Sequence, residues 1–173
     1  MPRIPFVAAE DEPEALRPVF EQLRATRGRV PGMYRTLAHQ PAVLAAHRGY
    51  FHAALDSGVL PRPFKEKIAF KVARLRGSAY STGSHRAYAL NHGVPESEIE
   101  AIDAGDYAGL PEAERAALAF AEAMVDGRGA VPDAAFEAMG AHFSPAEIVE
   151  IAALVGIMEL ASSLSAVFEL QPD

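Results

Sequence analysis

Apolar side chains recur along most of this chain at spacings of three and four, the period of one helix face. No stretch alternates strictly enough to argue for a strand. Leu16, Val19, Phe20 and Leu23 predict a helix over 14–27, closed by Gly28. A short helix follows from Pro31 through Leu37, and Gln40-Pro41 marks a boundary. Residues 41–55 form the next helix, broken by Asp56-Ser57-Gly58. Further helices are predicted over 96–104, from Leu110-Pro111 on Ala117, Leu118, Phe120, Ala121 and Met124, and from Pro132 to Met139. Ser144-Pro145-Ala146-Glu147 combines a capping serine, proline at the first helical position and an acid that completes a capping box. The helix it opens runs toward Leu170 and is apolar nearly all round in its middle, so it belongs to a core, a subunit interface or both.

The stretch from Leu60 to Ile102 organises the rest. Phe64, Ile68, Val72 and Leu75 share one helix face. Arg74 and Arg76 lie in the last turn, and Gly77 supplies a left-handed stop. Ser78 then caps a second helix, on which Ser78, Ser81 and His85 share a face. At 1.5 Å per residue, Glu66 lies roughly 16 Å before the corner and His85 roughly 12 Å after it. An antiparallel hairpin, which short connections favour, therefore brings the carboxylate and the imidazole to similar heights, where a proton relay could be built.

Composition narrows the classes. The 173 residues fit one domain with a real core, preceded by an extended arm over 1–13 that carries three prolines and an acidic cluster. Residues 1–12 hold one arginine and no continuous apolar stretch, so no signal peptide is expected and the cytoplasm is the expected compartment. The apolar run 148–160 is interrupted by Glu150 and Glu159 and is short for a bilayer, so no membrane is expected as partner. The absence of cysteine excludes disulfides, thiolate metal sites and a cysteine nucleophile. From Glu14 to His92 thirteen Lys or Arg face four Asp or Glu; from Gly93 onward two face sixteen. With a net charge of −7 and no binding motif, this asymmetry argues against nucleic acid and for halves that face each other within or between subunits.

The spacing of the four residues Glu66, Ser78, Ser81 and His85 resembles the pattern Glu, eleven residues, Cys, two residues, Cys, three residues, His. That pattern belongs to the AhpD-like alkylhydroperoxidases within the carboxymuconolactone decarboxylase family. Here serine stands at both cysteine positions. Leu60-Pro61, Tyr80 and Asn91-His92-Gly93-Val94-Pro95 agree with the family's flanks. Arg29-Val30-Pro31-Gly32-Met33-Tyr34-Arg35, His39-Gln40-Pro41-Ala42-Val43-Leu44 and Phe143-Ser144-Pro145-Ala146-Glu147-Ile148 resemble its longer, peroxidase-related members. The resemblance covers about residues 29–170. It implies an all-α domain over 14–173 built around the helix hairpin, a catalytic set of Glu66, Ser78, Ser81 and His85, no cofactor, no metal, and an assembly of identical chains.

In the cysteine-bearing relatives the second thiolate attacks a hydroperoxide, the first resolves it into a disulfide, and Glu and His manage the proton. Serine is hardly ionised near neutral pH and cannot form a sulfenic acid or a disulfide, so thiol peroxidase activity is excluded for this chain. Three readings follow: a peroxidase-branch protein with its pair replaced, an acid–base enzyme acting on a small organic acid with Arg86 or Arg35 as carboxylate clamp, and a non-catalytic binding protein or scaffold. A Ser81–His85–Glu66 hydrolytic triad is a weaker variant, since stacking on one helix leaves little room for an oxyanion hole. Without the motif, each residue has a plainer account: Ser78 as a cap, Ser81 as a solvated hydroxyl, His85 as a packed ring, and Glu66 as one charge between Lys65 and Lys67 on a wet face. A metal site is the weakest alternative, resting on His47 and His52 alone.

Overall fold

The computed structural model describes residues 2–172, and every regular element among them is helical. Helix α1 spans Arg17–Arg27, α2 Gly32–Leu37, α3 Pro41–Phe51, α4 Arg62–Leu75, α5 Ala79–Asn91, α6 Glu96–Ala104, α7 Glu112–Asp126, α8 Asp133–Gly140 and α9 Pro145–Val167. The helical face expected from Glu14 begins as a 3₁₀ turn, Glu14–Leu16, because Pro18 fixes the start of the α-helix one turn later. The arm carries one 3₁₀ turn, Ala9–Asp11, and lies on α2: the Val7 amide donates to the Arg35 carbonyl, and a His39 ring nitrogen meets the Pro5 carbonyl at 2.8 Å.

The hairpin is the centre of the fold. Gly77 adopts φ +63° at the corner, and the Ser78 side chain caps α5 by accepting from the Ser81 amide. Helix α4 packs against α5, α7 and α9, and the capping box of Ser144 and Glu147 starts α9 as the sequence predicts. As a whole, the 23-residue α9 does have the length and composition to cross a bilayer, contrary to the shorter run read from the sequence. It lies instead in the core, with Ile151, Leu154, Val155, Ile157 and Met158 buried.

Two apolar clusters result. The larger joins α4, α7 and α9; the smaller gathers Leu16, Phe20, Leu23, Met33, Tyr34, Leu37 and Leu44 with Tyr80 and Leu170. The basic and acidic halves meet along α4, within a single chain. Lys67 pairs with Glu98 and Glu114, Lys71 with Glu122, and Arg74 with Asp103. Lys65 is 1% exposed and reaches Glu150 of α9 at 2.7 Å. That carboxylate also accepts from the Val59 amide at 2.7 Å, which ties the loop before α4 to the core helix. The lysines beside Glu66 are therefore buried, which corrects the wet-face account of this segment. Each has a carboxylate partner that offsets the cost of its burial.

Candidate active site

All four residues of the spacing motif are buried together where the two apolar clusters meet. His85 Nδ1 lies 2.7 Å from Glu66 Oε2, so the ring donates there and leaves Nε2 as its second functional nitrogen. Glu66 is fully buried, and its other oxygen accepts from Arg62 Nε at 2.7 Å, with Nη2 in ion-pair contact at 2.6 Å. Arg62 also donates to Asp56, which Arg48 holds from the other side at 2.8 Å; His52 Nδ1 lies 3.3 Å from the same carboxylate. The imidazole thus ends a row of alternating charges that reaches the surface.

Burial alone would raise the Glu66 pKa, but His85 and then Arg62 more than offset it, and the carboxyl lies below its ordinary value. Asp56 behaves alike: burial pushes it up, and the hydrogen bonds from Arg62 and Arg48 bring it down. Both acids are anionic at neutral pH. A buried carboxylate on Nδ1 sets the ring's orientation and tautomer.

The serines differ. Ser78 Oγ accepts from the Ser81 amide at 3.2 Å and meets Ser165 Oγ at 2.8 Å, while Ser165 donates to the Ser162 carbonyl at 2.8 Å. With its own hydrogen committed to Ser162, Ser165 receives the Ser78 hydroxyl. Ser81 instead lines a pocket of about 50 Å³ with His85, room for a few water-sized groups. Aromatic rings wall it: Tyr34 meets His47 at 6.2 Å, His47 meets Phe51 at 6.0 Å, Phe51 meets His85 at 6.2 Å, and His85 meets Tyr88 at 5.8 Å. Arg27 also lines it, with its guanidinium 4.9 Å from the Tyr88 ring centre and Nη1 donating to the Tyr88 hydroxyl at 3.0 Å.

Neither arginine expected as a carboxylate clamp is at the pocket. Arg86 pairs with Glu96, and Arg35 stacks on Phe6 while donating to the Val7 carbonyl. They point away because the helix faces that carry them are turned to α6 and to the arm. The cation at the pocket is Arg27. His47 is buried there, with burial and then Arg48 lowering its pKa, whereas exposed His52 turns to Asp56. Among the described residues no group of three His, Asp or Glu could hold a metal ion.

As site residues Arg62, Asp56, Arg27 and Ser165 escaped the sequence reading, and His47 entered it only as half of the weak metal alternative. Arg62 alone had a local signal, standing four residues before Glu66 on the same helix face. Asp56 reaches the site because α3 ends in a π turn, His52–Asp56, closed by the Ser57 amide on the His52 carbonyl.

The all-helical fold is that of the AhpD-like proteins. The chain aligns with an uncharacterised peroxidase-related protein from Ralstonia eutropha JMP134 at a TM-score of 0.90 and 23% identity, over 99% of this chain and 92% of the other. A peroxidase-related protein from Silicibacter sp. TM1040 gives 0.88 and 21%, over 99% and 94%. The debrominase Bmp8, as a cysteine-to-alanine variant in complex with 2,3,4-tribromopyrrole, gives 0.86 and 25%, over 99% and 91%. Residues 41–123, from α3 into α7, match the model of the carboxymuconolactone decarboxylase family. No curated protein sequence matches it.

Proposed function

We propose that Glu66 and His85 form the proton relay of an alkylhydroperoxidase-like site whose thiol pair is absent, so that the chain performs acid–base chemistry on a small ligand and reduces no peroxide. The supporting observation is the buried 2.7 Å contact between His85 Nδ1 and Glu66, with Arg62 holding the carboxylate anionic. In the relay His85 Nε2 exchanges the proton with a ligand beside Ser81, and Glu66 stabilises the imidazolium. Ser81 contributes a hydroxyl at the place where a relative carries its attacking sulfur.

The test restores the sulfurs. Ser78→Cys with Ser81→Cys is expected to form a reducible disulfide and, with a dithiol, to reduce an organic hydroperoxide. The thiolate introduced at position 81 takes the terminal oxygen, the alcohol leaves, and attack by the thiol at position 78 expels water. Neither single variant turns over in this cycle. Glu66→Gln or His85→Asn in the restored protein slows it by about a hundredfold or more, the usual worth of a general acid–base partner. A disulfide that forms and reopens without any hydroperoxide turnover refutes the peroxidase-type relay.

Arg27 at the pocket favours a second reading, in which an organic acid places its carboxylate on the guanidinium and its reacting carbon near His85. The debrominase relative extends the range of ligands worth trying to small heteroaromatic halides. We further propose a homo-oligomer formed through α3 and α9, where Val43, Tyr50 and Leu160 are 48%, 46% and 45% exposed around an apolar groove.

A further inference from the structure

His47 forms part of the wall of the aromatic pocket and carries a polar atom that the fold does not use. The residue is 7% exposed, and its Nδ1 is buried with no hydrogen-bond partner among the described residues. An unpaired buried donor or acceptor is costly, and native proteins retain few of them. A phenylalanine would fill the same space against Tyr34 and Phe51, whose ring centres lie 6.2 and 6.0 Å away, without that cost. Packing alone therefore does not account for a histidine here.

Two spaces adjoin the ring. One is the groove of Val43 and Leu160, whose other lining side chains are apolar apart from the Tyr50 phenol. The other is the pocket of about 50 Å³, which gathers Arg27, Ser81 and His85. A single water needs roughly 10–15 Å³, so the pocket has room for a ligand of a few heavy atoms.

The two ends of such a ligand follow from the lining. Burial and then Arg48 hold the His47 pKa below its ordinary 6.5, so at neutral pH the ring is uncharged, with one N–H and one lone pair. The pocket's cation is Arg27, which donates to the Tyr88 hydroxyl and not to a carboxylate. An anionic end belongs at Arg27, and an uncharged polar atom at His47. An ammonium is disfavoured beside His47 by Arg48, whose charge the ring already feels. A carbonyl only accepts, so it fits Nδ1 only when that nitrogen carries the hydrogen. A hydroxyl both donates and accepts, and fits either tautomer.

We propose that the pocket takes a small hydroxy acid, its carboxylate on Arg27, its hydroxyl hydrogen-bonded to His47, and its carbon frame beside Ser81 and His85. This rests on the reading in which Arg27 receives an organic acid, and adds the residue that selects among such acids.

Sodium 3-hydroxybutyrate and sodium 3-methylbutyrate test it on the full chain, because a methyl in one takes the place of the hydroxyl in the other. Binding is followed by nitrogen NMR of the histidine rings. The parent is expected to bind the hydroxy acid about tenfold more tightly, the worth of one hydrogen bond, with the His47 signals shifting as it binds. His47→Phe keeps an aromatic ring at the pocket wall and is expected to erase that preference while leaving 3-methylbutyrate binding unchanged. Arg27→Met is expected to weaken both acids about tenfold, through loss of a charge-assisted hydrogen bond. Equal binding of the two acids by the parent, or a preference that survives in His47→Phe, overturns the role of His47 and leaves the organic-acid reading of Arg27 standing. The first of these comparisons uses the parent alone and stands whether or not the variant folds. Failure of both acids to bind, or of Arg27→Met to weaken them, overturns the two together.

Discussion

Replacing Arg62 by methionine tests what holds the Glu66 carboxylate charged in a dry site. The substitution keeps a long apolar stem and removes the ion pair and hydrogen bond to Glu66 and the hydrogen bond to Asp56. Removing one partner of a buried ion pair costs about 3–5 kcal/mol. Here the cost is lower, since Arg62 is 20% exposed, Glu66 keeps His85 and Asp56 keeps Arg48. We expect about 2–3 kcal/mol from urea unfolding at neutral pH. The pH dependence separates charge from packing. The folded pKa of Glu66 lies below its ordinary 4.5, so its contribution is complete above that value and is lost as pH falls through the depressed folded value. Without Arg62 the depression shrinks, and the variant has less of this contribution to lose. The stability gap between parent and variant therefore narrows on acidification. Both proteins should carry Asp56→Asn, because Asp56 is also depressed and titrates in the same range. A gap within about 0.5 kcal/mol at neutral pH, the usual scatter of surface substitutions, or one that stays constant into acid, refutes the role given to Arg62.

Gly58 at φ +100° faces the Glu150 carboxylate, and a Cβ there would collide with it. Gly58→Ala should destabilise by about 1–3 kcal/mol through backbone strain and displacement of Glu150, read as a lowered urea midpoint. Lys65→Met should cost about 3–5 kcal/mol by leaving Glu150 buried beside two backbone amides, while Lys65→Met with Glu150→Leu should recover most of it. Equal losses in single and double variants would show that packing, not charge, governs that contact. Leu160→Glu places a charge on the exposed α9 face, and light scattering should show the assembly dissociating. An unchanged molar mass excludes that face as the interface.

The hairpin was legible because its signals are local. An apolar face, a glycine stop and a serine cap define two helices, and helix geometry sets where Glu66 and His85 meet. The partners of Glu66 were less so. Asp56 arrives through a π turn that adds a residue to the helical register, and nothing in the 3.6-residue pattern announces such a turn. Arg27, Tyr34 and His47 come from helices folded over the hairpin, so only tertiary packing brings them to the pocket. The buried lysines of α4 ran against the rule that places lysine outside. Their signal was the division of the chain into basic and acidic halves, which states that charges meet without naming the pairs. Ser165 lies near the far end of α9, and its link to Ser78 spans 87 positions.

The two serine positions differ in what their environment asks of the side chain. Ser78 sits at the N-cap of α5, where the helix dipole favours negative charge, and its oxygen is occupied in both directions by the Ser81 amide and Ser165. As a serine it is a structural residue, one whose loss removes a cap and leaves Ser165 without its incoming hydrogen bond. Ser81 stands one turn further, at the pocket wall with His85. A ligand entering the pocket meets the position-81 side chain before that of position 78. Glu66, Arg62, Asp56 and His85 hold one another through contacts that involve neither serine hydroxyl. In the relay proposed above, acid–base chemistry therefore rests on the Glu66–His85 contact and not on the side chains at positions 78 and 81.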